Sequence, residues 1–274
     1  MTKQAVVVIS DLHIGSHQGL CPPTGIRLDE GNQITQTKIQ GYVWECFVHF
    51  MRTFVPLTIK GCDKVALVVN GDVIDGNHHN ATNLVTNVEM QARAAIEILA
   101  PYAEMSTQFI MVRGTEAHGG SGEQQTERIA ASLKAVQDPD TGAYSWWQYW
   151  MEAGSVVHQF AHHISTTSSA AYESSAPMRE LAASLVESAQ WGQRQPQVVW
   201  RSHRHRFIPV AIPSSNGRIE CIITPAWQTR TPYVEKIDRL RLSHIGGVIA
   251  ICEDGSCTIK EKLYEMPKPK VNIL

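Results

Sequence analysis

No run of apolar residues in this chain approaches the roughly 18 needed to cross a bilayer. The first such run, Ala5-Val6-Val7-Val8-Ile9, is too short for an export signal and has no small-residue cleavage site behind it. Both absences point to a cytoplasmic protein with no membrane partner. Charge of one sign is lacking too: 24 Lys and Arg face 26 Asp and Glu, for a formal net charge of -2. Without a basic excess there is no footprint for tight, sequence-independent nucleic-acid binding, so nucleic acid is left only as a substrate. CxxC spacing is missing among Cys21, Cys46, Cys62, Cys221, Cys252 and Cys257, which argues for free thiols. Cys252 and Cys257 flank a turn and can pair if oxidised. No repeat, low-complexity tract or linker divides the 274 residues. Residues 1–265 are therefore expected to form a single domain, with 266–274 as an exposed tail. The 43% hydrophobic and 18% charged content is that of an ordinary globular chain and is compatible with a homo-oligomer.

What is present is a regular alternation of strands and helices. Ala5 to Ile9, Lys64 to Val69 and Phe109 to Val112 are apolar without polar alternation, as strands covered on both faces are. Between them, Ile39, Val43, Phe47, Phe50 and Phe54 recur at helical spacing, in a helix expected to end before Pro56. Val88 to Tyr102 is rich in good helix formers. Strand, helix, strand, helix, strand is the order of an α/β fold with crossovers over a largely parallel sheet, and functional loops then gather at the strands' carboxyl ends. Gly15 to Thr35 is a long aperiodic loop, a candidate substrate wall. A helix is expected from Ser121, as its cap, to Val136, and another from Met178 to about Trp191. The aromatic stretch Tyr144 to Trp150 reads mainly as a core-packing segment. Four short strands after Trp200, joined at Asn216-Gly217 and Asp254-Gly255, predict a mainly antiparallel C-terminal sheet.

Five short clusters follow these strands: Asp11-Leu12-His13, Gly71-Asp72-Val73-Ile74-Asp75, Gly114-Thr115-Glu116-Ala117-His118, His162-His163 and Ser202-His203-Arg204-His205. Imidazole nitrogen and carboxylate oxygen together suit divalent transition ions. Asp11 and His13 are expected to share one face of an extended segment, and His203 and His205 to repeat that geometry. Asp72 can bridge two cations while Asp75 bonds backbone or a ligand from behind. A mononuclear zinc site needs only three ligands and would leave several clusters without a role. Arg113, Arg204, His78 and His79 lie beside the clusters as candidate binders of phosphate oxygens.

The order Asp-x-His, Gly-Asp-x-x-Asp, a Gly-rich His-bearing loop, a later His and then His-x-His resembles the calcineurin-like metallophosphoesterase superfamily over residues 11 to 205. The resemblance implies a four-layer αββα sandwich of two mixed sheets flanked by helices. It implies two divalent ions, Mn, Fe or Zn, with Mn the first choice in vitro. One ion would take Asp11, His13, Asp72 and His205; the other would take Asp72, His162, His203 and a group from the third cluster. The implied activity is hydrolysis of phosphate mono- or diesters by a metal-activated hydroxide, with nucleotides or nucleic acid among the substrates. Two departures stand out. Ser202 replaces the usual Gly before the last pair, and where the family reads Gly-Asn-His followed by an acid, Gly114 is here followed by Thr115, Glu116, Ala117 and His118. His118 can then be the general acid or a substitute ligand, Glu116 offers an oxygen to the same ion, and Thr115 is a poor ligand. His162 fits the family position, His163 lies behind it or meets substrate, and His158 is structural. The altered third motif also permits a second reading, a catalytically weakened metal-binding scaffold for protein interaction.

Overall fold

The computed structural model describes residues 2–77, 83–167, 169–214, 217–237, 242–268 and 271. Its elements in chain order are β1 (Gln4–Ile9), β2 (Ile26–Arg27), β3 (Gln33–Ile34), α1 (Lys38–His49), α2 (Val55–Thr58), β4 (Lys64–Asn70), α3 (Val88–Met105), β5 (Gln108–Val112), α4 (Glu116–Gly119) and α5 (Gln124–Ser132). There follow β6 (Ser145–Trp146), β7 (Tyr149–Ala153), β8 (Val156–Phe160), α6 (Ser175–Trp191), β9 (Val198–Arg201), β10 (Ile208–Ser214), β11 (Gly217–Ile223), α7 (Pro232–Ile237), β12 (Ile245–Glu253) and β13 (Ser256–Tyr264). Among the described residues no helix is long and apolar enough to cross a membrane.

Two mixed sheets stand face to face. One runs β13-β12-β1-β4-β5-β6, with β1, β4, β5 and β6 parallel; the other runs β10-β11-β9-β8-β7. The apolar strands alternate between two cores. On β1, Val7 and Ile9 face α1, α3 and α5, where Phe47, Leu99 and Ile129 are fully buried; Val6 and Val8 face the second sheet and meet Phe160, Trp200 and Ile222. Each such side chain contributes about 1.5–3 kcal/mol by leaving water. Helix α6 closes the outer side of the second sheet through Leu181 against Val199, Ile219 and Cys221. The result is the four-layer αββα sandwich of two mixed sheets.

Several local expectations are corrected. The first helix does not stop before Pro56: a π-helical turn, Phe50–Phe54, carries it into α2. There Val55 N–H bonds Phe50 O, so the chain is already off the i to i−4 ladder when it reaches the residue with no N–H to give. Helix α3 likewise runs past Tyr102 to Met105, with Pro101 inside its last turns. Ser121 caps no helix by a side-chain bond; it opens a 3-10 turn, and α5 ends at Ser132 because Val136 N–H pairs with Phe109 O of β5. The four C-terminal strands do not form one sheet. β12 and β13 extend the first sheet beside β1, whereas β10 and β11 extend the second beside β9. Each pair is antiparallel, with Gly217 already in β11 opposite Ser214 and Asn216 outside the described residues, and the turn signals carried no information on which sheet each pair would join. The loop 15–35 packs inward, burying Leu20, Cys21 and Ile26. The aromatic stretch divides: Tyr149 is buried, and Trp147 and Trp150 are exposed.

Candidate metal centre

Strand register brings the clusters together. Ile9 lies opposite Val69 in the parallel β1–β4 pair, and the bridge Ile14 to Ile74 prolongs that pairing beyond the strands, so the Asp11 and Asp72 loops run side by side. Asn70 lies opposite Val112, which sets Gly114 against Asp72. In the second sheet Phe160 lies opposite Trp200, and Ser202 N–H bonds His162 O. A fully buried polar chain links the two sheets here. Asn70 Nδ2 donates to Ser202 Oγ at 2.7 Å, and the Thr224 hydroxyl stands 2.7 Å from both Ser202 Oγ and Ser10 Oγ. Ser202, where the family resemblance expects Gly, is thus the hydroxyl at the centre of that link.

The candidate ligand side chains converge by a different device from strand alternation. Asp11, His13, Asp72, His203 and His205 all have positive φ, from 44° to 70°. The expected extended geometry of Asp11-x-His13 and His203-x-His205 is therefore corrected: each residue sits in the left-handed region, at a cost of about 1–3 kcal/mol apiece. Backbone bonds to neighbouring loops hold them there, Asp11 N–H to Gly71 O at 3.0 Å, His13 N–H to Asp72 O at 3.1 Å and His244 N–H to His205 O at 2.8 Å. Glycine is required where the imidazole passes: Gly71 has φ of 89°, and a Cβ on it would stand 2.2 Å from His162 Nδ1.

Two adjacent groups of donor atoms result. Asp11, His13 and His205 form one; Asp72, His162 and His203 form the other. Asp72 Oδ2 lies between them, 3.0 Å from His162 Nε2, 3.8 Å from His118 Nε2, 3.9 Å from His203 Nδ1 and 4.0 Å from His13 Nε2. His205 Nε2 stands 3.3 Å from Asp11 Oδ1, a buried oxygen with no hydrogen-bond partner. An orphaned buried carboxylate oxygen costs free energy unless a cation meets it. The donor set, mixed nitrogen and oxygen, fits divalent transition ions.

Partners behind the candidate ligands fix which atom each presents. Asp75 Oδ1 accepts from His13 Nδ1 at 3.1 Å and from Gln228 Nε2 at 3.3 Å, so His13 turns Nε2 to the centre. Asn70 O accepts from His162 Nδ1 at 2.8 Å, leaving Nε2 for Asp72. Burial raises the Asp11 carboxyl, but His205 and His162 outweigh it and bring it down to about 2. Burial acts against Asp72 in the same way, and His162 above all holds it well below the carboxylate range. Burial lowers His162, yet Asp72 and Asp11 pull it up to about 9. His13 is lowered, first by burial and then by His118.

The third cluster divides its work. Thr115 gives both N–H and hydroxyl to Asp72 Oδ1, at 2.7 and 2.9 Å, so it orients the aspartate from the side away from the imidazoles. His118 joins His13 and Asp75 in a group of its own, with Nδ1 2.7 Å from Asp75 O. Glu116 is exposed, accepts from Gly122 N–H at 3.3 Å and stands outside every donor group found. It occupies the first turn of α4, whose helical geometry turns it from the centre. Of the phosphate-binding candidates, Arg113 is held by Ser145 Oγ at 2.8 Å and Glu127 at 3.6 Å, with its guanidinium over Trp147. Arg204 donates to Glu173 O at 2.9 Å. His78 and His79 lie outside the described residues. His163 is exposed and packs its ring on His162 and His203, with centroids 5.3 and 5.2 Å away. His158 is fully buried between the sheets.

Sequence reasoning missed Gln228 and Glu123. Glu123, buried and itself left-handed at φ 58°, accepts N–H groups of Gly114 and Gly119 and so shapes the third loop. Burial raises its carboxyl. A lone Glu after Gly119-Gly120-Ser121-Gly122 gave no signal of this.

No family model matches the chain, and no curated protein sequence does. Among solved structures it is similar to vacuolar protein sorting 29 from Cryptosporidium parvum, with 9% identity, a TM-score of 0.44, and coverage of 97% of this chain and 100% of that one. A metallophosphoesterase from Sphaerobacter thermophilus gives 10% identity and a TM-score of 0.40 over 96% and 89%. The sulfate thiohydrolase SoxB from Thermus thermophilus gives 12% and 0.39 over 96% of this chain and 56% of that one. It is the order of the five clusters along the sequence that resembles the calcineurin-like metallophosphoesterase superfamily.

Proposed function

We propose that this chain is a binuclear, metal-dependent phosphoric ester hydrolase of the calcineurin-like kind. The observation that carries the reading is Asp72 Oδ2 shared among imidazoles of both donor groups. Two divalent cations held by Asp11, His13, Asp72, His162, His203 and His205 would lower the pKa of a water between them, orient a phosphoryl group and neutralise charge on its oxygens. The chain's own groups do the rest. Thr115 and Asp75 keep Asp72 and His13 in position, and the buried Ser10–Thr224–Ser202–Asn70 link keeps the two sheets' ligands at fixed separation. His118, with Nδ1 on the Asp75 carbonyl, turns Nε2 to the centre; as an imidazolium it can give that proton to a departing alkoxide.

The substrates are phosphate mono- or diesters, with nucleotides or nucleic acid as candidates, and manganese is the first ion to supply. The test is metal counting on purified protein, followed by hydrolysis of an aryl phosphate and a bis-aryl phosphate with added manganese. Near two ions per chain and turnover of either ester are expected. A single ion per chain at saturation would overturn the binuclear reading. Thr115 spending its hydroxyl on Asp72, where the resemblance expects an Asn ligand, favours the second reading, a metal-binding scaffold with weakened turnover. Full metal loading with neither ester cleaved would select it.

A further inference from the structure

Far from the metal centre, at the opposite end of β1, three chemistry-bearing side chains meet. Cys252 of β12 lies directly opposite Cys257 of β13 in the hairpin, and Cys252 in turn lies opposite Gln4. From Gln4 to Asp11 the chain spans roughly 20 Å at about 3.3 Å per residue, so the metal reading plays no part here. The two Sγ atoms are 2.9 Å apart, and His158 Nε2 from β8 stands 3.3 Å from Cys252 Sγ.

The tautomer of His158 decides what this group can do. Trp200 Nε1–H, which can only donate, points at His158 Nδ1 at 3.0 Å. Nδ1 therefore carries the lone pair and Nε2 the hydrogen, which is given to Cys252 Sγ. A metal ion on Nε2 would need the lone pair there and would push an N–H on Nδ1 against the indole N–H. His158, Cys252 and Cys257 thus lack the third ligand that their spacing offers. What remains is a thiol pair with a fixed hydrogen-bond donor on the inner sulfur. The hairpin is held from outside as well: Gly255 N–H bonds Gly154 O at 2.8 Å, and a Cβ on Gly154 would strike the Cys252 backbone at 2.4 Å.

We infer that Cys252 and Cys257 are a reversible dithiol site that reacts with low-molecular-weight disulfides of the glutathione type. Residues opposite each other on adjacent antiparallel strands, next to the pair that closes a two-residue turn, have Cα atoms within disulfide range. Access sets the order of events. Cys252 is fully buried, whereas Cys257 is half-buried on the edge strand of its sheet. The Cys257 sulfur attacks one sulfur of the small disulfide, forming a mixed disulfide and releasing one thiolate, which takes the proton Cys257 has lost. The Cys252 sulfur then attacks Cys257, the intramolecular bond forms, and the second thiolate leaves with the Cys252 proton. Two protein thiols are oxidised and one small disulfide is reduced to two thiols. The contact with Cys257 lowers the Cys252 thiol first of all, against its burial, with His158 adding to it. Once Cys257 is in the mixed disulfide it has no proton to give, and the His158 Nε2–H at 3.3 Å is the donor left to support charge on the Cys252 sulfur in the second step.

The test equilibrates the full chain with mixtures of reduced and oxidised glutathione, then unfolds, alkylates and maps the cysteines by mass. Expected is a loss of two hydrogens with Cys252 and Cys257 protected together, while half-buried Cys62 is alkylated. Cys252→Ala should stop at one glutathione on Cys257, and Cys257→Ser should leave Cys252 unreacted. Full alkylation of both cysteines at every glutathione ratio would overturn the site. So would zinc alone protecting both thiols from alkylation in the native chain where oxidised glutathione does not.

Discussion

The Nε2 atoms of His13 and His205 stand 3.2 Å apart, from residues 192 positions distant in the chain. With His13 Nδ1 donating to the Asp75 carboxylate, a neutral His13 offers only a lone pair at Nε2. Either His205 fills the gap with a hydrogen or a cation does. Asp11 Oδ1 on the same side lacks a hydrogen-bond partner, which favours the cation.

Asp72→Ala removes Oδ2, which stands between both donor groups. Metal content and ester hydrolysis should fall together, to background in the hydrolysis assay. Full activity in this variant would refute the shared-carboxylate assignment.

Thr115→Val deletes the hydroxyl that holds Asp72 Oδ1 but keeps the backbone N–H bond. Loss of a hydrogen-bond partner behind a ligand typically costs about 10–100-fold in metal affinity or activity. Titration with manganese should show a fall of that order, and Thr115→Ser should recover most of it. Glu116→Ala, by contrast, should leave affinity unchanged, since its carboxylate is exposed and bonds the Gly122 N–H.

His118→Asn is expected to retain metal and slow turnover by about 100-fold or more, in the range of a lost general acid. Substrates with a good leaving group need no proton, so an activated aryl ester should be spared relative to an alkyl ester. Equal loss on both esters would assign His118 to metal holding instead.

The raised His162 couples the stability of the metal-free chain to pH. The folded His162 value, raised to about 9, makes a stabilising contribution that is complete below the unfolded value of 6.5 and lost as pH rises through 9. Metal binding must displace that proton, so manganese affinity should climb between pH 6.5 and 9. Calorimetry in two buffers of different ionisation heat would read the proton release. Thermal melts of the metal-free protein over the same interval should fall. Asp11 and Asp72, both lowered, contribute the opposite way, losing their stabilisation only in strong acid.

Gly114→Ala probes packing. A Cβ at this position would stand 2.1 Å from Asp72 Oδ1. The aspartate must move, so metal binding should drop while circular dichroism of the metal-free protein stays that of the parent.

Much of this was legible from residue order alone. Apolar runs without polar alternation marked β1, β4 and β5 as strands covered on both faces, because burial on two sides leaves no position for a polar residue. The clusters behind those strands named Asp11, His13, Asp72, His162, His203 and His205, since in parallel sheets strand ends and their loops lie at one edge. Tertiary structure alone decided how they meet. Five candidate ligands have left-handed backbone, held at Asp11, His13 and His205 by bonds to other loops, and a local pattern cannot encode a conformation that is unfavourable locally. The same holds for Glu116 and Thr115. The chain order offered both to one ion, and only the turn of α4, with register between β4 and β5, sent the carboxylate to solvent and the hydroxyl to Asp72. Which sheet each C-terminal hairpin would join was also settled by packing, because a hairpin's turn fixes its own pairing and says nothing of its neighbour.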